Sequence, residues 1–174
     1  LKNPLKIIGR TRGPLLVPEE HYELSGYVAN VVFPSGALLE KDTLTIYYGA
    51  ADTTACLARV SLSNLVSSMH PEYSKFWHFK RALANPIIIS KPEHPWEAKA
   101  TFNPAAIVLD GKTHILYRAL SNDNTSSIGY AMTEIGVDII ERLADPIYIP
   151  REEFENKKIN NANSGCEDPR LTKI

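Results

Sequence analysis

Hydrophobic positions along the chain fall in short runs bounded by polar and turn residues. Val31 to Leu39, Leu44 to Ala50 and Cys56 to Leu62 are apolar and rich in β-branched or aromatic residues, as strands are. Ala105 to Leu109, Thr113 to Arg118 and Ile128 to Thr133 form a second set in the same order. Asp110-Gly111, between the first two runs of that set, predicts a tight hairpin. One segment departs from this pattern. Between Leu62 and Phe79 the apolar residues Leu62, Leu65, Val66 and Met69 recur at helical spacing. Ser61 or Ser63 would cap that helix and Pro71 would end it.

The two sets of strands belong to a longer repeat. Gly13-Pro14-Leu15-Leu16-Val17-Pro18, Asn85-Pro86-Ile87-Ile88-Ile89-Ser90 and Asp145-Pro146-Ile147-Tyr148-Ile149-Pro150 share one pattern, their prolines 72 and 60 residues apart. Each is followed by an aromatic-glutamate pair: Tyr22-Glu23, Trp96-Glu97 and Phe154-Glu155. Phe33-Pro34 aligns with Asn103-Pro104, and a tyrosine follows each proline at the same interval, Tyr47 and Tyr117. A third start appears at Asp168-Pro169-Arg170-Leu171-Thr172. Self-similar units of three or four strands predict an all-β fold of the β-propeller type, with about two and a half blades in this chain. A β-sandwich with accidental similarity is the alternative.

Composition narrows the function classes. Nineteen basic residues nearly balance twenty acidic ones, so the net charge of -1 gives no reason to expect nucleic acid or an anionic membrane as partner. No run approaches the roughly 18 apolar residues of a membrane span. Cys56 and Cys166 form neither a disulfide framework nor a metal-binding pair, and both read as free thiols of a cytoplasmic protein. The first twelve residues do not read as a signal peptide. No histidine pair has the spacing of a helical metal site and no glycine-rich phosphate loop occurs, so no cofactor is expected.

Several motifs resemble glycoside hydrolase family 130, the β-mannoside phosphorylases and related hydrolases. They are Trp96-Glu97, Phe102-Asn103-Pro104-Ala105-Ala106, Leu116-Tyr117-Arg118-Ala119, Ser127-Ile128-Gly129-Tyr130-Ala131, Asp145-Pro146-Ile147-Tyr148 and Gly165-Cys166-Glu167-Asp168-Pro169-Arg170. In order and spacing, residues 85–174 resemble the N-terminal blades of that family. Residues 1–70 resemble its C-terminal blade, through Asn30-Val31-Val32-Phe33-Pro34 and Tyr47-Tyr48-Gly49-Ala50-Ala51-Asp52, and residues 71–84 read as a linker. The ends thus stand in exchanged order, as in a tandem junction, a permuted propeller or an excerpt of a longer protein. The resemblance implies a five-bladed propeller with a sugar bound at its central cavity. The remaining blades would come from a longer chain or from another copy in a homo-oligomer.

The resemblance also implies roles for particular residues. Cleaving a glycosidic bond requires protonation of a poor leaving group, and a carboxylic acid does this. Asp168 matches the family's proton donor, although by composition alone Glu167-Asp168-Pro169 is a polar turn entering a strand. Arg118, at the end of a strand, matches a residue that lines the sugar subsite, and Asn103, ahead of Pro104, offers a donor and an acceptor to a vicinal diol, although an Asn-Pro pair is more commonly a loop opening a strand. Asp52 matches an aspartate that bonds sugar hydroxyls, and Arg170 is a candidate for substrate or carboxylate contact. The prolines that follow Asn103 and Asp168 predict extended backbone at both. In a tandem junction Asp52 and Arg118 would serve different sites; in a permutation they would share one. The implied activity is cleavage of β-mannosides by phosphorolysis to mannose 1-phosphate, with inorganic phosphate as co-substrate. A non-catalytic carbohydrate-binding propeller and an inactive fragment stay open as alternatives.

Overall fold

The computed structural model describes every residue except 1, 2, 4, 8, 71, 74, 135, 158, 160 and 161. Two antiparallel sheets make up the fold, with little helix. The first contains β1 (Val32–Glu40), β2 (Thr43–Ala50), β3 (Thr54–Ser61) and β4 (Lys80–Arg81), in that spatial order. The second contains β5 (Ala100–Leu109), β6 (Lys112–Leu120), β7 (Thr125–Thr133) and β8 (Ile139–Arg142), with β9 (Ser164–Gly165) added parallel to β7. Within β1–β4 and within β5–β8 consecutive strands are neighbours, and short turns join β1 to β2, β2 to β3, β5 to β6 and β6 to β7. Asp110 and Gly111 are both left-handed (φ 49° and 75°), as the tight hairpin between β5 and β6 requires.

The helix expected after residue 61 is present but short. α1 is the single turn His21–Leu24, and α2 covers Leu62–Ser67. Ser61 caps α2 by accepting the Asn64 N–H at 3.2 Å. The helix ends before Met69; Pro71, its expected stop, lies outside the described residues. Residues 80 and 81, beyond it, form β4 against β3.

Each sheet is tied to the segment ahead of it by a buried glutamate. Glu23 has no solvent exposure. Its Oε1 accepts from the Tyr48 hydroxyl (2.8 Å) and Arg81 Nε (2.7 Å), and its Oε2 from Arg81 Nη2 (2.8 Å) and the N–H groups of Glu19 and Glu20. Glu97, equally buried, accepts on Oε2 from the Tyr117 hydroxyl (2.8 Å) and Arg142 Nη2 (2.6 Å) and pairs through Oε1 with His94 at 2.7 Å. Each arginine also reaches a backbone carbonyl of the preceding strap, Arg81 that of Val17 and Arg142 that of Ile89. Burial works against the Glu23 carboxylate, but Arg81, the two N–H groups and Tyr48 outweigh it and lower its pKa.

This anchor corrects one feature of the repeat. Tyr48 faces Cys56 and Arg81 faces Ala58; Tyr117 faces Gly129 and Arg142 faces Ala131. The counterpart of Tyr117 is therefore Tyr48, not Tyr47. The bulge in β1 falls after Pro34, whereas Asn103 and Pro104 lie inside the bulge of β5, which displaces the count by one. Tyr47 instead points to the opposite face, where it packs with Leu57, Ile88, Ile115 and Tyr117 in the core between the sheets. The straps repeat as well: Ala55 exchanges backbone hydrogen bonds with Ile88, and Ile128 with Tyr148.

Breaking the second anchor should therefore be costly. Arg142→Ala leaves Glu97 buried without its cation, and the expected loss is about 3–5 kcal/mol. Urea unfolding should show it as a lower midpoint at unchanged slope, and combining it with Glu97→Gln should restore part of the loss.

Candidate active site

Two of the glycines let the sheets approach closely. A Cβ at Gly36 of β1 would lie 3.0 Å from the Pro104 carbonyl, and one at Gly49 of β2 would lie 2.3 Å from Asn103 Oδ1. The Ser35 hydroxyl donates to that Pro104 carbonyl at 2.8 Å. Asn103 is thus clamped between its own bulge and the first sheet. It is left-handed (φ 49°), as is Asp168 (φ 43°), so the extended backbone expected ahead of each proline is not adopted. Proline disfavours the right-handed region in the residue before it, and Asn and Asp tolerate the left-handed one. The bulge of β5 uses that tolerance at Asn103. Two residues before Asp168, the Cys166 N–H bonds the Ser126 carbonyl as the Thr101 N–H, two before Asn103, bonds Thr53.

Three of the five residues expected in a site, Asn103, Arg118 and Asp168, come together here, and a fourth, Asp52, lies within reach of their charges. Asn103 Nδ2 donates to Asp168 Oδ1 at 2.9 Å, and Arg118 Nη1 lies 3.6 Å from the same oxygen. Asp52, in the β2–β3 turn, feels the charges of both Arg118 and Asp168. Ala51 and Asp52 are both left-handed (φ 48° and 49°), the central pair of a tight turn that the Thr53 N–H closes on the Ala50 carbonyl at 3.0 Å. Arg170, the fifth residue, is not part of this group. Its Nη1 donates to the carbonyls of Asp168 (3.2 Å) and Pro169 (2.8 Å), and it lines a groove with Leu116, Ile147 and Phe154.

Arg118 is held on several sides. Its Nε donates to the Ser126 hydroxyl at 3.0 Å, its Nη2 to Glu167 Oε1 at 2.6 Å, and its Cζ lies 4.9 Å from the Phe102 ring centroid. Asn103 is 5% exposed, and its Oδ1 has no hydrogen-bond partner among the described residues. A buried acceptor left unpaired is costly, and this one is packed against the backbone at Gly49. Sequence reasoning missed Ser126 and gave Glu167 no role. It also missed Arg81 and Arg142, although each stands a few residues ahead of an Asn-Pro or Asp-Pro pair. No group of described histidine, cysteine, aspartate or glutamate residues is arranged to hold a metal ion.

The pKa of Asp52 is raised, first by burial and then by the Asp168 charge, with Arg118 opposing. A carboxyl with a raised folded pKa contributes stability that is full below its unfolded pKa and lost as pH rises through the folded value. Asp52→Asn keeps a side chain tolerant of left-handed backbone. It should raise the melting temperature at about pH 8 and leave it unchanged near about pH 3, below the unfolded carboxyl pKa. Thermal melts at the two pH values check this. Gly49→Ala should push Asn103 out of its place against the first sheet, visible as a lower midpoint of urea unfolding.

Comparison with known proteins adds the following. Residues 1–71 match the family model described as β-1,4-mannooligosaccharide phosphorylase. A β-1,2-mannobiose phosphorylase of Thermoanaerobacter sp. (strain X514) is 51% identical over 53 residues, which is 30% of this chain and 18% of that protein. A β-1,2-mannobiose phosphorylase of Listeria innocua serovar 6a is 38% identical over 72 residues, 41% of this chain and 20% of that protein. A GH43_1 enzyme from Xanthomonas citri complexed with xylotriose gives a TM-score of 0.48 at 17% identity, covering 71% of this chain and 35% of that one. The GH43 β-xylosidase/α-arabinofuranosidase CoXyl43 from a compost microbial metagenome gives 0.48 at 14% identity, covering 79% and 44%. The chain matches only about a fifth of the length of these curated relatives, 18% and 20%. Its resemblance to glycoside hydrolase family 130 is shown by the family model over residues 1–71.

Proposed function

We propose that this chain is part of a carbohydrate-active enzyme that cleaves β-mannosidic bonds by phosphorolysis, with Asp168 as proton donor. The observation that carries this reading is the convergence of Asp168, Asn103 and Arg118, with Asp52 in electrostatic reach, where the two sheets meet. The relatives' names supply the substrate class, a β-linked mannoside with inorganic phosphate.

In this mechanism a phosphate oxygen forms a bond to the anomeric carbon as the glycosidic C–O bond breaks. The leaving oxygen takes the proton of the Asp168 carboxyl, directly or through a sugar hydroxyl, and Asp168 is left as a carboxylate. Both contacts to Asp168 fall on Oδ1, which leaves Oδ2 for proton transfer. Arg118 Nη1 and the Asp52 carboxyl are a donor and an acceptor for the hydroxyls of the mannosyl unit, and Asn103 borders that subsite through its bond to Asp168. Arg170 stays a candidate for contact beyond that unit, from the groove side.

The two sheets are two blades of a propeller on this reading. Support comes from the repetition of strand order, strap and anchor between them. A third anchor is half built. Glu155 accepts from the Tyr148 hydroxyl (2.9 Å) and from the N–H groups of Arg151 and Glu152, as Glu23 does from those of Glu19 and Glu20. Further blades, from the same polypeptide or from another copy, supply the rest of the cavity and the phosphate-binding cations.

The complete protein should release mannose 1-phosphate from mannobiose only when phosphate is present. Asp168→Asn is expected to lower kcat by about 10² to 10⁴, the usual contribution of a general acid. Phosphate-independent release of free mannose would replace phosphorolysis by hydrolysis. Sugar binding without any turnover would leave a carbohydrate-binding protein instead.

A further inference from the structure

We infer that Glu167 is a positioning residue, which fixes the Arg118 guanidinium so that its Nη1 is presented to the sugar beside Asp168. The inference rests on the reading of Arg118 as a sugar-binding residue.

An arginine side chain ends in a planar fork of five N–H donors, and free rotation would spread them over many directions. Here the edge formed by Nε and Nη2 is consumed by protein acceptors, the Ser126 hydroxyl at 3.0 Å and Glu167 Oε1 at 2.6 Å. The ring of Phe102 packs against one face of the plane. Two acceptors on one edge and a ring on one face define the plane and its rotation. Nη1 is then the remaining corner, with a looser contact, 3.6 Å, to Asp168 Oδ1.

Glu167 also balances charge. Without it the nearest anion to Arg118 in the described structure is Asp168, and the guanidinium would be drawn into a closer pair with that carboxylate. A proton donor closed into an ion pair cannot serve a leaving group. By taking Nη2 at 2.6 Å, Glu167 keeps Arg118 at 3.6 Å from Asp168. The chain achieves this with consecutive residues. The short β9 pairing and the Cys166 N–H bond to Ser126 fix the backbone just before Glu167, and no side chain fits at Gly165, whose Cβ would lie 2.2 Å from the Ser126 carbonyl. The same residue, Ser126, thus locates both the carboxylate segment and the Arg118 Nε.

The test compares Glu167→Ala and Glu167→Gln with the parent by two readouts. The first is the ¹⁵N spectrum of the Arg118 guanidinium in this chain, where hindered rotation separates the Nη signals. The second is the steady-state kinetics of the complete protein on mannobiose with phosphate. Glu167→Ala should merge the Nη signals and raise KM for mannobiose about tenfold, the usual cost of one charge-assisted hydrogen bond. Its kcat should change less than KM does. Glu167→Gln, which keeps an acceptor, should restore separated signals and most of the affinity. Unchanged Nη signals in Glu167→Ala, or an unchanged KM, would overturn the inference. If the parent neither binds nor cleaves mannobiose, the functional reading fails on its own, and the guanidinium spectrum still decides whether Glu167 orients Arg118.

Discussion

Glu23 and Glu97 have no solvent contact, and an ionised carboxylate in such a place is tolerable only when its oxygens are paired. That requirement organises the chain. Each glutamate demands a tyrosine hydroxyl from a second strand, a guanidinium from a fourth strand, and a strap carbonyl to hold the other side of that guanidinium. Meeting all of these at once fixes the strap, the turn bearing the glutamate (α1 for Glu23, the 3₁₀ turn Pro95–Glu97 for Glu97) and the sheet in one arrangement. It also closes four-stranded units whose last strand is very short, for β4 has only Lys80 and Arg81. Arg81 gives that short strand a polar tether as well as its pairing to β3.

The site depends on this order because it is built between the sheets. Asn103 sits in a bulge of the second sheet and against Gly49 of the first, so its amide is aimed only as well as the two sheets are aligned. The inter-sheet core of Tyr47, Leu57, Ile88, Ile115 and Tyr117 supplies that alignment, and Tyr117 is the residue that Glu97 holds. A single residue thus belongs both to an anchor and to the packing that aligns the site. Left-handed backbone at Asp52, Asn103 and Asp168 adds local cost at three polar positions, of which Asn103 and Asp168 are hydrogen-bonded to each other. Asparagine and aspartate are the residue types that bear such a conformation at least cost, and they are also those whose short polar side chains suit sugar hydroxyls.

The strands were legible in the sequence because burial on one face and turn chemistry leave clear marks; β1, β2, β3, β6 and β7 fall close to the expected runs. The Asp110-Gly111 hairpin was legible for the same reason. β5 begins at Ala100, ahead of the expected Ala105, because its bulge interrupts the apolar pattern at Asn103-Pro104. The same bulge hid the left-handed backbone and the equivalence of Tyr48 with Tyr117, since a bulge changes register without changing composition. The aromatic-glutamate pairs were visible as a repeat, but their partners Arg81 and Arg142 lie 58 and 45 residues away in sequence. Contacts of that separation leave no local mark. Glu167 stood next to the most conspicuous candidate, and only its 2.6 Å bond to Arg118 distinguishes it from a solvated turn residue.

The face of the second sheet that carries Leu116 and Ile128 is the counterpart of the face that carries Tyr47 and Ala55 in the first. In the first sheet that face is sealed by β5 and by Ile88, which is 1% exposed; in the second, the corresponding strap leaves Ile147 46% and Phe154 77% exposed. Glu167 and Arg170 line the same groove. On the propeller reading, a sheet packed there would remove water from beside the Glu167–Arg118 pair and lower the local dielectric. The attraction would then strengthen, and the orientation of Nη1 would tighten with it. Packing on this groove and the orientation of Arg118 are therefore not independent: the apolar groove and the ion pair share Glu167, so closing one sharpens the other.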